Sequence, residues 1–199
     1  MGDVLAGFGG RWGRRGLAVA GLAAALYGMA GCTAKPANAL KGLAQGQMKS
    51  LVADDAPSAA PSVPFTDAAG KAHTLAEFKG KAVIVNLWAT WCAPCVQEMP
   101  TLAKLAQASA GQPLAIVPVS LDSAEDVANA KAFIARRPPL PFYSDVNYAL
   151  PFGFKPPVAT LPTTLLIDRR GDVLGRVAAG ADWSGPDAKR VVEALEKTP

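Results

Sequence analysis

The chain has 199 residues, of which 50% are hydrophobic and 18% are charged. This length fits one domain of ordinary size with additional segments, and it excludes two full domains. The net charge is +4, but residues 56–199 contain 14 Lys and Arg against 13 Asp and Glu. The excess basic charge therefore belongs to the first 55 residues, and we expect no nucleic-acid-binding face.

The first 32 residues have the pattern of a signal or membrane anchor. Arg11, Arg14 and Arg15 precede an uncharged apolar run over residues 16–30, which is followed by Gly31 and Cys32. A helix of this length spans about 22 Å, which is short of the roughly 30 Å hydrocarbon core of a bilayer. Two interpretations stay open: a lipoprotein signal that is cleaved before a lipidated Cys32, or an uncleaved anchor with its positive charge inside, which we favour.

Residues 33–62 are predicted to be an amphipathic segment followed by a linker. Apolar residues from Leu40 to Leu51 recur near helical spacing. Three prolines and two serines between residues 54 and 64 predict an extended linker. We therefore expect the folded domain to span residues 63–199.

Strand and helix signals alternate over residues 63–199. A short hairpin is predicted at residues 65–75, with its turn at Ala69-Gly70. Apolar runs predict strands at 83–87, 114–121, 142–144, 163–167 and 173–177. Helices are predicted from Cys92 to about residue 110, after a capping box at Ser123-x-x-Asp126, and after Pro186. This order predicts a three-layer α/β fold, in which helices flank a mixed central sheet and a hairpin comes first.

Cys92 and Cys95 stand at the predicted turn from the strand at 83–87 into the helix that follows. A helix that begins at the first cysteine directs unpaired N–H groups and the positive end of its dipole at that sulfur. This stabilises the thiolate, which is the form that attacks disulfides. Sites of this kind have cysteine pKa values of roughly 3.5–7.5 instead of about 8.5. The pair therefore predicts dithiol–disulfide exchange.

Two other interpretations fit the cysteine pair less well. A structural zinc site needs about four ligands, and the chain offers only Cys32 and His73 besides, both far upstream. A static disulfide usually closes a longer loop, where the entropic gain is larger. We therefore expect no bound metal at this site and no cofactor.

The cysteine motif and two further stretches resemble the TlpA/ResA-like thiol–disulfide oxidoreductases of the thioredoxin superfamily. The matching stretches are residues 85–95 (VNLWATWCAPC), Glu98-Met99-Pro100 and Leu161-Pro162-Thr163-Thr164. The resemblance runs from about residue 63 to residue 197 and implies a thioredoxin-like fold. It also implies a cis Pro162 that faces the cysteines and exposes the Leu161 backbone to an extended substrate. Trp91 would pack against the partner, with simple packing in the fold as the alternative.

Glu98 is a candidate general base. It follows Cys95 by three residues, so a helix places its carboxylate one turn from that sulfur on the same side. Many thioredoxins carry a buried acid six residues before the first cysteine, but this chain has Asn86 there, which cannot accept a proton. We therefore expect Glu98 to take the proton of Cys95. The alternative is a solvated carboxylate on the helix surface.

The expected function is the reduction of disulfides in periplasmic partner proteins, with electrons from a membrane-embedded thiol donor. Either form of the N-terminal segment tethers residues 33–199 to the periplasmic side of a bacterial inner membrane, a compartment in which disulfides persist. The resemblance implies a role in the biogenesis of cytochrome c or cytochrome oxidase. A general periplasmic oxidant and a copper-binding assembly module, in which His73 would join the two thiols, are the alternatives.

Overall fold

The computed structural model describes residues 38–199, and one eight-stranded sheet runs through this part of the chain. The strands are β1 (Leu51–Ala59), β2 (Phe65–Asp67), β3 (Ala72–His73), β4 (Ala82–Trp88), β5 (Leu114–Ser120), β6 (Tyr143–Ser144), β7 (Thr163–Ile167) and β8 (Asp172–Val177). The helices are α1 (Ala93–Ala108), α2 (Val127–Ala135), α3 (Ala149–Gly153) and α4 (Pro186–Glu196). Short 3-10 turns lie at Gly46–Met48 and Leu75–Phe78.

The anchor predicted for residues 1–32, including the candidate lipidation site Cys32, lies outside the described residues. Within residues 38–199, no helix combines the length and the apolar character needed to cross a membrane. Membrane tethering and its two interpretations therefore stay predictions.

The sheet is mixed, as the sequence predicts. Its strand order is β1-β8-β7-β4-β5-β6-β2-β3. Strand β4 runs parallel to β5, and β5 runs parallel to β6, while the other neighbouring pairs are antiparallel. The carboxyl ends of β4 and β5 therefore meet at one edge of the sheet, which is where the cysteine motif begins.

Strand β4 is buried along its whole length and separates the two halves of the core. Ile84 and Trp88 pack on one face with buried residues of α1, α2 and α4. Val85 and Leu87 pack on the other face with residues that include Leu150 of α3. Because side chains alternate along a strand, this arrangement gives helices on both faces of the sheet. The predicted three-layer α/β fold is confirmed.

The same alternation turns Asn86 of β4 towards α1. Asn86 is fully buried between Ile84 and Trp88, on the face of the sheet that packs against α1. It lies opposite Thr164 of β7 in the register of the antiparallel pair. A buried amide needs hydrogen-bond partners inside the protein, and those partners belong to the candidate site.

The linker prediction and the domain boundary at residue 63 are wrong. Residues 51–59 form an edge strand that pairs antiparallel with β8, from Leu51 opposite Val177 to Ala59 opposite Asp172. An edge strand tolerates proline, and the register shifts between Ala53 and Ser58. The predicted extended conformation is present, but it pairs with the sheet. Residues 38–199 belong to one compact unit.

The amphipathic segment before β1 forms turns and one 3-10 turn instead of an α-helix. Leu40 and Met48 of this segment nevertheless bury their side chains in the core, as does Leu51 at the start of β1. The capping box is also wrong, because Asp126 occupies the N-cap of α2 without capping it, and its carboxylate accepts a hydrogen bond from Ser123. The sequence did not predict α3. The hairpin, the other five strands and the remaining helices are confirmed.

Replacing Asn38 tests whether the segment before β1 belongs to the domain. The Asn38 side chain donates hydrogen bonds to the carbonyls of Asp54 at 2.8 Å and Leu174 at 2.6 Å, and accepts one from Leu40 N–H at 3.0 Å. Asn38→Ala leaves these groups unpaired, so we expect the free energy of unfolding to fall by about 1–3 kcal/mol. Urea denaturation measures it.

The exposed Asn129 of α2 provides the matched control. Asn129→Ala should change the free energy of unfolding by no more than about 0.5 kcal/mol. Equal denaturation midpoints for Asn38→Ala and the wild type would show that this segment adds nothing to the domain.

Candidate active site

The candidate active site begins where α1 begins. Cys92 is the N-cap residue of α1, and its sulfur accepts the backbone N–H of Cys95 at a nitrogen–sulfur distance of 3.3 Å. Cys92 and Cys95 form a disulfide with an S–S distance of 1.99 Å. The predicted helix start is confirmed, so the sulfur of Cys92 receives both a helix N–H and the positive end of the helix dipole.

A buried carboxylate fixes the loop between β4 and α1. Asp122, which follows β5, is fully buried. It accepts hydrogen bonds from the backbone N–H of Thr90 at 3.1 Å, from the Thr90 hydroxyl, and from the Ser120 hydroxyl at 2.7 Å. Because β4 and β5 are parallel and adjacent, Asp122 lies beside the loop that leads to Cys92. These hydrogen bonds fix the position at which α1 begins.

The two sulfurs differ in their access to solvent. Cys92 is 7% exposed, whereas Cys95 is 0% exposed. A groove of about 450 Å³ opens at Cys92, and the predicted substrate-binding residues Trp91 and Leu161 both line it. The Leu161–Pro162 peptide bond is cis, which is the conformation that the resemblance implies. A partner can therefore reach Cys92 directly, whereas Cys95 is shielded. The roles of these three residues in binding stay predictions.

Glu98 lies on the buried side of α1 and is 3% exposed, so the alternative of a solvated surface carboxylate is wrong. Its Oε1 accepts a hydrogen bond from Asn86 Nδ2 at 2.7 Å. Its Oε2 accepts hydrogen bonds from the Ala181 N–H at 3.0 Å and from Trp183 Nε1 at 3.4 Å. Three donors therefore surround the carboxylate, and they come from three positions in the fold.

Burial raises the pKa of Glu98 from 4.5 to about 7. Desolvation of the carboxylate is the larger effect, because the charged form loses its hydration. The hydrogen bonds from Asn86, Ala181 and Trp183 lower the pKa but do not offset the burial. Near neutral pH the side chain can therefore both accept and release a proton, which is the property a general base or acid needs.

No pattern in the sequence indicated the residues that hold Glu98. Asn86 cannot accept a proton, but it bridges Glu98 and the Thr164 hydroxyl, which accepts a hydrogen bond from Asn86 Nδ2 at 2.9 Å. Asn86 is the one polar residue of an otherwise apolar strand, and this pattern could have indicated a buried polar contact. Ala181 and Trp183 lie 83 and 85 residues from Glu98 along the chain, and no local pattern connects them to it.

His73, the third ligand of the copper alternative, is engaged elsewhere. Its Nε2 lies 3.0 Å from a carboxylate oxygen of Asp67, and its Nδ1 lies 2.9 Å from one of Glu77. These hydrogen bonds, the one with Asp67 first, raise the pKa of His73. In the part of the chain that the structure describes, no group of three or more His, Cys, Asp or Glu side chains is placed to hold a metal ion. The fold does not bring His73 to the cysteines.

The fold and the cysteine site together define a thioredoxin-like protein. The profile of the AhpC/TSA family matches residues 54–175, and the chain belongs to this family. It is 35% identical over 117 residues to the thiol-disulfide oxidoreductase ResA of Geobacillus kaustophilus, covering 58% of this chain and 65% of that one. Identity to ResA of Geobacillus thermodenitrificans is 35% over 119 residues, with the same coverage. This chain thus matches less than two thirds of the length of each of these relatives.

A solved structure shows the same architecture. It is a thiol:disulfide interchange protein of the thioredoxin family from Chlorobium tepidum TLS, 28% identical to this chain. The TM-score is 0.59, and the match covers 72% of this chain and 99% of that one. The predicted resemblance to thioredoxin-like thiol–disulfide oxidoreductases is confirmed.

The raised pKa of Glu98 predicts a pH-dependent stability of the oxidised protein. Between pH 4.5 and about 7 the carboxyl is ionised in the unfolded chain but protonated in the folded one. The contribution of Glu98 to the free energy of unfolding is therefore fully present below pH 4.5 and is lost as the pH rises through about 7, by about 3 kcal/mol at ~1.4 kcal/mol per pKa unit. Glu98→Gln, which does not titrate, should lack this loss. Urea denaturation at pH 4, 6 and 8 compares the two proteins.

Glu193→Gln, at an exposed position of α4, is the control. Its free energy of unfolding should follow the wild-type pH dependence within about 0.5 kcal/mol. If Glu98→Gln and the wild type also gave parallel curves, Glu98 would have an ordinary pKa in the folded protein.

Proposed function

We propose that this chain is a thiol–disulfide oxidoreductase that reduces disulfides of partner proteins through Cys92 and Cys95. The observation that carries the proposal is the Cys95 N–H, which lies 3.3 Å from the sulfur of Cys92 at the start of α1. In the reduced protein this N–H and the helix dipole favour the thiolate, which attacks disulfides. The names of the ResA relatives, thiol-disulfide oxidoreductase, support the same chemistry.

The reaction proceeds in two exchange steps. The thiolate of Cys92 attacks one sulfur of the partner disulfide, which releases the other partner sulfur as a thiolate and leaves a mixed disulfide. Cys95 then attacks the sulfur of Cys92 and displaces the second partner thiolate, forming the Cys92–Cys95 bond. The partner gains two electrons and this protein loses two. The difference in exposure supports this order, because Cys92 is the sulfur that a partner can reach.

Glu98 acts in the second step. As Cys95 attacks, the carboxylate of Glu98 accepts its thiol proton, directly or through one water molecule. The spacing of three residues along α1 puts the two side chains on one side of the helix, and the pKa near 7 matches the task. A membrane-embedded thiol donor then reduces the Cys92–Cys95 bond and completes the cycle.

The proposed setting is the periplasmic side of a bacterial inner membrane, to which the N-terminal segment tethers the chain. The three arginines and the apolar run over residues 16–30 support this location. We propose disulfides of proteins in cytochrome c or cytochrome oxidase biogenesis as the substrates, on the strength of the TlpA/ResA-like motifs. A reductant is useful there because the compartment is otherwise oxidising.

The two cysteines should have different roles. Cys95→Ser retains the attacking thiolate but cannot resolve the mixed disulfide, so we expect it to accumulate covalent adducts with partners. Non-reducing gel electrophoresis followed by mass spectrometry detects these adducts. Cys92→Ser should form no adduct and should reduce disulfides no faster than buffer. Disulfide reduction that persists in Cys92→Ser would disprove the scheme.

The redox potential decides the direction of the reaction. Dithiol sites of this kind span about −270 to −120 mV, and roughly 30 mV corresponds to 1.4 kcal/mol. We expect a value in the reducing half of this range, because the proposed role is to donate electrons. Equilibration of the protein with glutathione buffers, followed by alkylation and mass spectrometry, measures it. A value near −120 mV would instead assign the protein as a general periplasmic oxidant.

A further inference from the structure

Among residues 38–199, no charged side chain lines the groove beside Cys92. Its apolar lining includes Leu121, Pro151, Val158 and Leu161, and two aromatic residues, Trp91 and Tyr148, also line it. Both rings are accessible, because Trp91 is 64% exposed and Tyr148 is 38% exposed. A cluster of large exposed apolar side chains indicates a surface that binds a ligand or a partner protein.

Tyr148 has an unusual backbone conformation. Its φ is 57° and its ψ is 28°, which is the left-handed region, and it is the only residue other than glycine with positive φ among residues 38–199. A bulky side chain is rarely found there, and such strain concentrates at ligand-binding positions. The conformation therefore calls for a specific cause in the surrounding structure.

Hydrogen bonds on both sides of Tyr148 enforce this conformation. The Tyr148 N–H donates to the carbonyl of Asp145 at 3.2 Å. Two residues later, the Leu150 N–H donates to the carboxylate of Asp145 at 2.7 Å. Asp145 is itself buried. The turn holds the Tyr148 ring at the groove, and the phenol hydroxyl has no hydrogen-bond partner among residues 38–199.

The lining of the groove, Tyr148 included, disfavours a negative charge. Burial raises the pKa of the Tyr148 hydroxyl, and the charges of Asp122 and Asp145 raise it further. The phenol therefore stays neutral at physiological pH. An acidic residue of a partner that entered the groove would lose hydration and would meet no cationic side chain among the lining residues within 38–199.

We propose that Tyr148 is a specificity-determining residue, which together with Trp91 selects partner disulfides whose cysteine is flanked by an apolar or aromatic residue and rejects those flanked by an acidic one. This inference rests on the proposed disulfide reduction and adds the class of substrate segment. Aromatic contacts of this kind contribute about a two- to tenfold preference.

The test uses the reduced full-length protein and two peptide disulfides that differ at one position. The residue next to the cysteine is Phe in one peptide and Asp in the other. Hydroxyethyl disulfide, which has no side chain to fill the groove, provides the reference rate for each variant. Dividing each peptide rate by this reference separates selection by the groove from reactivity of the thiolate.

We expect the wild type to prefer the Phe peptide, and Tyr148→Asn to reduce that preference about two- to tenfold. Asparagine tolerates the left-handed conformation, so this variant removes the ring and retains the backbone. Tyr148→Gly, which relieves the strain, should behave in the same way. Tyr148→Phe should keep the preference, because it retains the ring.

The matched control is Phe152→Ala, because Phe152 lies on α3, the helix that follows Tyr148, and its exposed ring does not line the groove. It should leave the preference unchanged. The proposal is overturned if the wild type shows no preference, if Tyr148→Asn and Tyr148→Gly keep it, or if Tyr148→Phe loses it. A wild type that failed to reduce hydroxyethyl disulfide would contradict the proposed function itself, and this inference with it.

Discussion

The position at which α1 begins is the constraint on which the site depends. Cysteine is an ordinary thiol unless its surroundings favour the thiolate, and here the N-terminus of α1 provides that environment. The parallel pair of β4 and β5 brings Asp122 beside the loop before the helix, where it binds Thr90. A shift of the helix start by one residue would direct the Cys95 N–H away from the sulfur of Cys92. The reactivity proposed for the motif therefore depends on the sheet that positions the helix.

Glu98 shows the same dependence on distant parts of the fold. Its carboxylate is removed from water by the core, which favours the protonated form, while three donors favour the ionised form. Those donors belong to β4 and to the segment between β8 and α4, and not to the helix that carries Glu98. The balance gives a proton affinity near neutrality. The packing of the sheet and of the C-terminal segment therefore determines the pKa of Glu98, which lies one helical turn from Cys95.

Local patterns in the sequence predicted most of the sheet, α1, the final helix and the cysteine pair, because strand alternation, helix spacing and turn residues act over a few positions. They failed where long-range pairing decides. The prolines between residues 54 and 64 read as a linker, although β8 offers residues 51–59 an open edge. The side chain of Asn86 shows that it cannot accept a proton, but its contact with the Glu98 carboxylate appears only in the folded structure. No pattern in the sequence indicated that Tyr148 lies at the groove, because its backbone conformation depends on hydrogen bonds to Asp145.

The shielding of Cys95 has a kinetic consequence for the proposed cycle. Since Cys92 lines the groove while Cys95 is 0% exposed, the oxidised partner and the reducing donor of the proposed cycle must both dock at the sulfur of Cys92. The two cannot occupy it together, so each leaves before the other arrives, and the electron pair is stored in the dithiol between visits. Turnover of this type follows ping-pong kinetics.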